Sequence, residues 1–274
     1  MPVRIVQSQQ NSRLKALRRA LAHPGRELGS PVALEGPNLL AEALHARLFV
    51  PTVFVAQGSE HLIEGLSLPP ETDVLLVPKE LLTSALATET PQPVAALVEP
   101  FPWVWSDLFK GFDRPAAALI VVLAGVQDPG NLGAILRSAE AFGATGVVSL
   151  PGTVSEWNPK AVRASAGSVL RLPLVSASAD ECLAHLQQAG VKVWTTAVQG
   201  AEPAHRIDLA APTALLIGNE GNGVPASLAG RADGALTIPC PGPVESLNAA
   251  VAAGVLLYEA SRQRALEDAP GAAR

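Results

Sequence analysis

AALIVVLAGVQDPGNLGAILRSAEAFGATGVVSL, residues 117–150, carries the signature of an α/β fold. Leu119–Ala124 is a continuous apolar run rich in branched side chains, bounded by Gly125. A run that short, apolar at every position, reads as a strand covered on both faces in a parallel sheet. From Asn131 to Phe142 the apolar residues Leu132, Ile135, Leu136 and Ala139 recur at helical spacing, and Gly143 closes the helix as a C-terminal cap. Gly146–Leu150 then returns as a second strand. The polar loop between first strand and helix lies where open parallel sheets hold ligands.

Downstream the alternation continues. A helix is expected over Pro159–Leu170, a strand at Leu172–Val175, a helix at Ala179–Ala189 and strands at Val191–Ala197, Thr213–Ile217 and Ala235–Ile238. Ser246–Gln263 is the expected last helix. Upstream, strands at Ala33–Glu35, Thr52–Ala56, Val74–Val77 and Val94–Val98 alternate with helices at Pro37–Ala46 and Lys79–Ala87. Between these halves, EPFPWVWSDLFKGFDRP brings Pro100, Pro102 and Pro115, which interrupt regular elements. The reading is two α/β domains, residues 1–100 and 116–274, joined by a linker at 101–115.

The 274 residues are 48% hydrophobic and 16% charged, which excludes a disordered chain. No apolar run approaches the about 18 residues of a membrane span, and MPVRIVQSQQNSRLKALRRA lacks a secretion signal, so a cytoplasmic location is expected. Cys182 and Cys240 are too few for a disulfide framework, no metal cluster is evident, and both are expected as free thiols. The net charge of −5 argues against general affinity for polyanions. Yet Arg4, Arg13, Lys15, Arg18, Arg19 and Arg26 all precede the first acid, Glu27. Lys15, Arg18 and Arg19 share one side of an expected helix, either a solvated face or a footprint for nucleic acid.

Three loops follow strands and combine glycines with polar groups. In Asp128–Gly143, Asn131 is placed to cap the helix, and Arg137 follows just under two turns later. In Gly218-Asn-Glu-Gly-Asn-Gly-Val-Pro225, glycines around Glu220 permit close backbone approach to a ligand. No Gly-Lys-Ser/Thr ending and no GxGxxG fingerprint occur, which disfavours a nucleotide P-loop and a dehydrogenase. In Ile238-Pro-Cys-Pro-Gly-Pro-Val-Glu-Ser246-Leu247-Asn248, prolines stiffen the loop, Ser246 is the expected cap and Asn248 lies in the first turn.

In order and spacing, PGNLGAILRSAEAFG, LLIGNEGNGV and LTIPCPGPVESLNAAVAAGVLLYE resemble the three motifs of the SpoU (TrmH-type) RNA 2′-O-ribose methyltransferases of the SPOUT class. The resemblance spans residues 117–264; residues 11–98 resemble, more weakly, the RNA substrate-binding domain of many members. It implies an α/β trefoil-knot methyltransferase domain behind a smaller α/β domain, S-adenosyl-L-methionine as cofactor, a homodimer, and a structured RNA substrate. Ribosomal RNA is expected ahead of transfer RNA, with a non-catalytic RNA-binding protein as the alternative. By the same resemblance Gly218, Ile238 and Leu247 contact the cofactor, while Asn131, Arg137, Glu220, Ser246 and Asn248 form the catalytic group. Arginine seldom gives up a proton, so a clamp on the neighbouring phosphate suits Arg137 better than a base, with Glu220 as alternative acceptor. Arg13, Lys15, Arg18 and Arg19, with Lys160 and Arg163 beside the family-like RASAG stretch at 163–167, are the expected RNA contacts. Cys240 stands where the family usually has methionine.

Overall fold

The computed structural model describes residues 3–25, 29–86, 88, 90–110, 117–197, 200–243 and 246–267. Arg26, Glu27, Ala87, Val244, Glu245 and residues 111–115 of the expected linker lie outside the described residues. The chain divides into two compact units: Met1–Pro102 with Ser155–Arg171, and Trp103–Val154 with Leu172–Arg274. Residues 155–171 lie inside the range 116–274 expected for the second domain, yet they pack with the first unit.

The first unit begins β1 (Val3–Ile5), α1 (Ser12–Ala22), β2 (Val32–Glu35), α2 (Pro37–His45), β3 (Phe49–Ala56), β4 (Asp73–Val77), α3 (Lys79–Leu86) and β5 (Val94–Glu99). Its sheet runs β1-β4-β3-β5-β2, with β1, β4 and β3 mutually parallel and β5 antiparallel to both neighbours. Leu14 and Leu17, one helical turn apart on α1, bury against Phe54 and Leu82. The Asn11 side chain accepts from the Arg13 and Leu14 N–H groups and starts α1. Every residue of β1 is exposed, so no buried pattern marked it in the sequence.

The second unit opens with α4 (Trp105–Leu108), β6 (Leu119–Ala124), α5 (Pro129–Ala141) and β7 (Gly146–Ser149). The chain then leaves for the first unit with α6 (Pro159–Ala164). It returns through β8 (Leu174–Ser176), α7 (Ala179–Gln188), β9 (Lys192–Thr196), β10 (Glu202–Pro203), β11 (Thr213–Gly218), α8 (Ala226–Ala229), β12 (Gly234–Thr237) and α9 (Ala249–Glu267). Seven strands, all parallel, lie in the order β10-β12-β9-β11-β6-β7-β8. Each residue from Leu119 to Leu123 has no exposed surface, as a central parallel strand requires. α9 packs along α5.

Expected elements change in the middle helix and in the linker. The helix over Pro159–Leu170 stops at Ala164, because Ala166 (φ 49°) and Gly167 (φ 90°) turn left-handed before a 3-10 turn at Ser168–Leu170. A Cβ on Gly167 would lie 2.9 Å from the Glu42 Cγ, so the bend sets the chain tightly against α2. The linker holds one helical turn, α4, whose Trp105 ring stacks on His185 at 4.3 Å and donates to Glu181 at 3.2 Å. No described helix is long and apolar enough to cross a membrane.

Candidate active site

The first polar loop leaves β6 at Gly125 and enters α5. Asp128, in extended conformation, caps this helix by accepting the Asn131 N–H at 2.8 Å. The cap is therefore Asp128 and not Asn131, because Pro129 occupies the first helical position and has no N–H to lose there. Released from capping, the Asn131 side chain points across to the other loops. Its Nδ2 donates to Glu220 Oε1 at 3.0 Å, and its Oδ1 accepts from Asn248 Nδ2 at 3.0 Å.

Glu220 also accepts the N–H groups of Gln127 (3.3 Å) and Asp128 (3.2 Å). Partial burial pushes its carboxyl up, but the hydrogen bonds from Asn131 and from backbone N–H groups outweigh this and hold it below the usual carboxylate range. Asn248 caps α9, its Oδ1 accepting from Ala250 N (2.9 Å) and Val251 N (3.2 Å). The last helix thus starts at Ala249, three residues later than expected, and the cap falls on Asn248 rather than Ser246. One hydrogen-bonded set therefore joins all three loops: Asp128 and Asn131, Glu220, Asn248.

The side chains of Arg137 and Ser246 are exposed and make no hydrogen bond or ion pair with a described residue. Arg137 lies on α5 between Ala134 and Ser138, two residues that line a groove between α5 and α9. Ala134, Ser138, Phe142, Val251, Val255 and Tyr258 line this groove of about 450 Å³. The apolar residues of α9 divide there: Leu257 is buried, whereas Val251 and Tyr258 are more than half exposed.

Sequence reasoning missed Asn219. Its Oδ1 accepts from Gly221 N (2.9 Å) and Asn222 N (3.2 Å), while its Nδ2 donates to Gly125 C=O at 3.0 Å. An asparagine two residues before a glycine is a turn signal of this kind, and GNEGNG contains it. Gly218, at the end of β11, is buried, and a Cβ there would lie 2.1 Å from the Gly223 carbonyl carbon. Only glycine lets the loop double back this closely.

Ile238 follows β12 and Leu247 precedes the Asn248 cap, both half-buried. Among the described residues, 238–243 and 246–247 make no hydrogen bond to the protein. That leaves exposed backbone carbonyls, with the N–H groups of Cys240 and Gly242 between prolines, open to a ligand beside two half-buried apolar side chains.

All six cations expected to meet RNA fall in the first unit, Lys160 and Arg163 through residues 155–171. Lys15 and Arg19 are exposed and without a partner among the described residues. Arg13 pairs with Asp73 at 3.2 Å, Arg18 donates to Gln9 C=O at 3.1 Å, and Lys160 is exposed on α6. Arg163 pairs with buried Glu35 at 3.6 Å, which ties it to β2 as well as leaving part of it exposed. Cys182 is buried, which pushes its thiol up to about 12, while Cys240 is exposed in the third loop.

Residues 118–258 match the SpoU rRNA Methylase family, half of the chain and all three loops. The chain belongs to this family. A SpoU relative, the 23S rRNA (guanosine(2553)-2′-O)-methyltransferase RlmP of Bacillus subtilis, is 31% identical over 92% of this chain and 97% of its own length. The 23S rRNA (guanosine-2′-O-)-methyltransferase RlmB of Xanthomonas campestris is 42% identical over 54% of this chain and 59% of its own. Among solved structures, SpoU methyltransferase AviRb from Streptomyces viridochromogenes, in complex with AdoMet, superposes with a TM-score of 0.80 at 28% identity, covering 93% of this chain and 99% of that one. The AdoMet-bound rRNA methyltransferase from Sinorhizobium meliloti gives 0.79 at 30% identity, covering 95% and 98%. The α/β fold with its parallel sheet is that of SpoU methyltransferases.

Proposed function

We propose that the chain transfers a methyl group from S-adenosylmethionine to a ribose 2′-hydroxyl of ribosomal RNA, in the cytoplasm and as a homodimer. The observation that carries this is the bonded set Asn131–Glu220–Asn248, which locks three sequence-distant family motifs into one site. Ribosomal RNA is favoured because RlmP, named for 23S rRNA, aligns along 92% of the chain and so through the first unit as well. That unit is read as the RNA-binding domain, with Lys15 and Arg19 the exposed cations for phosphate, Lys160 exposed on α6, and Arg13, Arg18 and Arg163 sharing their charge with protein partners.

Backbone groups around Gly218, Ile238 and Leu247 fit S-adenosylmethionine, with its charged amino-acid end and flat adenine. When bound, this cofactor supplies an electrophilic methyl carbon on a sulfonium. β12 lies beyond β9 in the sheet whereas α9, which follows it in the chain, packs on α5, and this return towards β6 supports the trefoil-knot reading.

Glu220 acts as a positioning residue rather than a base: both its oxygens already accept N–H groups, and its proton affinity is lowered. Arg137 clamps the phosphate next to the target ribose and stabilises negative charge developing on the hydroxyl oxygen, whose proton passes to solvent water as the methyl leaves the sulfonium. Ser246, exposed beside Asn248, supplies a hydroxyl to orient the ribose. The groove between α5 and α9 is an exposed apolar face that suits a second copy, which would bring α5, and Arg137 on it, towards another subunit.

Arg137→Ala tests the assignment. Calorimetry should show S-adenosylmethionine bound as in the parent, while tritium transfer from labelled cofactor to ribosomal RNA is lost. Equal loss of both would remove Arg137 from the transfer step.

A further inference from the structure

We infer that Thr153 is a positioning residue for methyl transfer, setting the loop that presents Asn131; this rests on the function proposed above. Thr153 belongs to none of the three family motifs and stands at the end of the second unit's first segment. β6 turns out of the sheet at Gly125, whose φ of +81° is a left-handed bend natural to glycine. The Gly125 N–H donates to Thr153 Oγ1 at 3.1 Å, and the same hydroxyl donates to Leu123 C=O at 3.1 Å. One side chain thus ties the last turn of strand to the first residue of loop, on either side of Ala124.

From there each successive residue is tied in turn. Gly125 C=O accepts from Asn219, Val126 C=O accepts from Val154 N–H at 2.9 Å, and Gln127 and Asp128 donate to Glu220. Asp128 then starts α5 and fixes where Asn131 leaves it. Without the Thr153 hydroxyl, a half-buried N–H and an extra carbonyl bond are lost at the pivot of this series. The bend then relaxes, and Asn131 moves relative to Glu220 and Asn248.

Thr153→Val keeps the side-chain shape and removes both bonds; Thr153→Ser keeps both. With ribosomal RNA from cells lacking this gene as substrate, Thr153→Val should lower kcat on the order of tenfold to a hundredfold, with KM for S-adenosylmethionine within about threefold of the parent. Thr153→Ser should recover kcat to within about threefold. Hydrogen exchange should find the Gly125 amide slow in the parent and in Thr153→Ser and fast in Thr153→Val. Parental kcat in Thr153→Val, equal loss in both variants, or a fast Gly125 amide in the parent would each overturn the inference. A parent that transfers no methyl group overturns the proposed function instead, and the Gly125 amide still decides whether the tether exists.

Discussion

Glu35, at the end of β2, and Glu220, in the loop after β11, are each hydrogen-bonded by a backbone N–H and a side chain from elsewhere in the chain. Glu35 accepts Gln92 N at 2.9 Å and Thr88 Oγ1 at 3.0 Å; Glu220 accepts Gln127 N, Asp128 N and Asn131 Nδ2. They differ in setting. Glu35 is 6% exposed, and its second oxygen faces the Arg163 guanidinium. Glu220 is exposed, and among the described residues no cation pairs with it. A buried carboxylate with its countercharge holds structure together, because removing the Arg163 guanidinium would leave the Glu35 charge buried and unpaired. An exposed carboxylate held by neutral donors adds little stability, yet it fixes three loops that otherwise have no reason to meet.

The largest effect expected from this contrast is on catalysis. Glu220→Ala should lower kcat on the order of a hundredfold, since it frees Asn131 and two loop N–H groups at once. Its melting temperature should stay within about 4 °C of the parent. Calorimetric melting beside single-turnover rates checks both halves. A Glu220→Ala protein that melts far earlier would erase the distinction between the two carboxylates.

Glu35→Ala should do the reverse. Losing two hydrogen bonds to a buried charged group and the partner of Arg163 should cost about 2–3 kcal/mol in urea denaturation. Below the denaturation midpoint, turnover per folded molecule should change much less than in Glu220→Ala. A stability change under about 0.5 kcal/mol would mean that Arg163 and Gln92 do not depend on this carboxylate.

What the sequence disclosed follows the same division. The strand at Leu119–Ala124 and the helix after it were legible because burial on both faces, then helical spacing, leaves a regular apolar pattern. Asn131, Glu220 and Asn248 were legible through motif order, although the caps at Asp128 and Asn248 needed backbone geometry to assign. Thr153 was not legible, because a hydroxyl bridging Leu123 and Gly125 leaves no periodicity. Nor was Arg163–Glu35: its partners are 128 positions apart, and nothing local distinguishes a paired arginine from a solvated one. The left-handed Ala166, just beyond the early end of α6, likewise contradicts its own propensity, and it precedes Gly167, where a Cβ would meet Glu42.

Glu259 on α9 extends the comparison to a carboxylate lowered by a cation. Its oxygens accept from Arg262 Nε (2.9 Å) and Nη2 (2.7 Å), and from Gln263 Nε2 (2.8 Å). The Arg262 hydrogen bonds lead, burial opposes them, and Gln263 and nearby positive charge add to them, so the carboxyl is lowered from 4.5 to about 2. A group whose folded pKa is depressed contributes stability above its unfolded value and loses it as pH falls through the folded value. The Glu259 contribution should therefore be complete above pH 4.5 and fade as pH drops toward about 2. The lowering of Glu220 comes from Asn131 and backbone N–H groups, which carry no net charge. Raising salt to about 1 M shortens the screening length to about 3 Å and should lift the Glu259 midpoint while leaving that of Glu220 nearly unmoved. Carboxyl-carbon NMR titrations of both groups, with Arg262→Ala returning Glu259 toward 4.5, read this directly. Equal salt shifts in the two would mean that Glu220 also answers to a cation, and that its isolation from positive charge is not what separates it from Glu35.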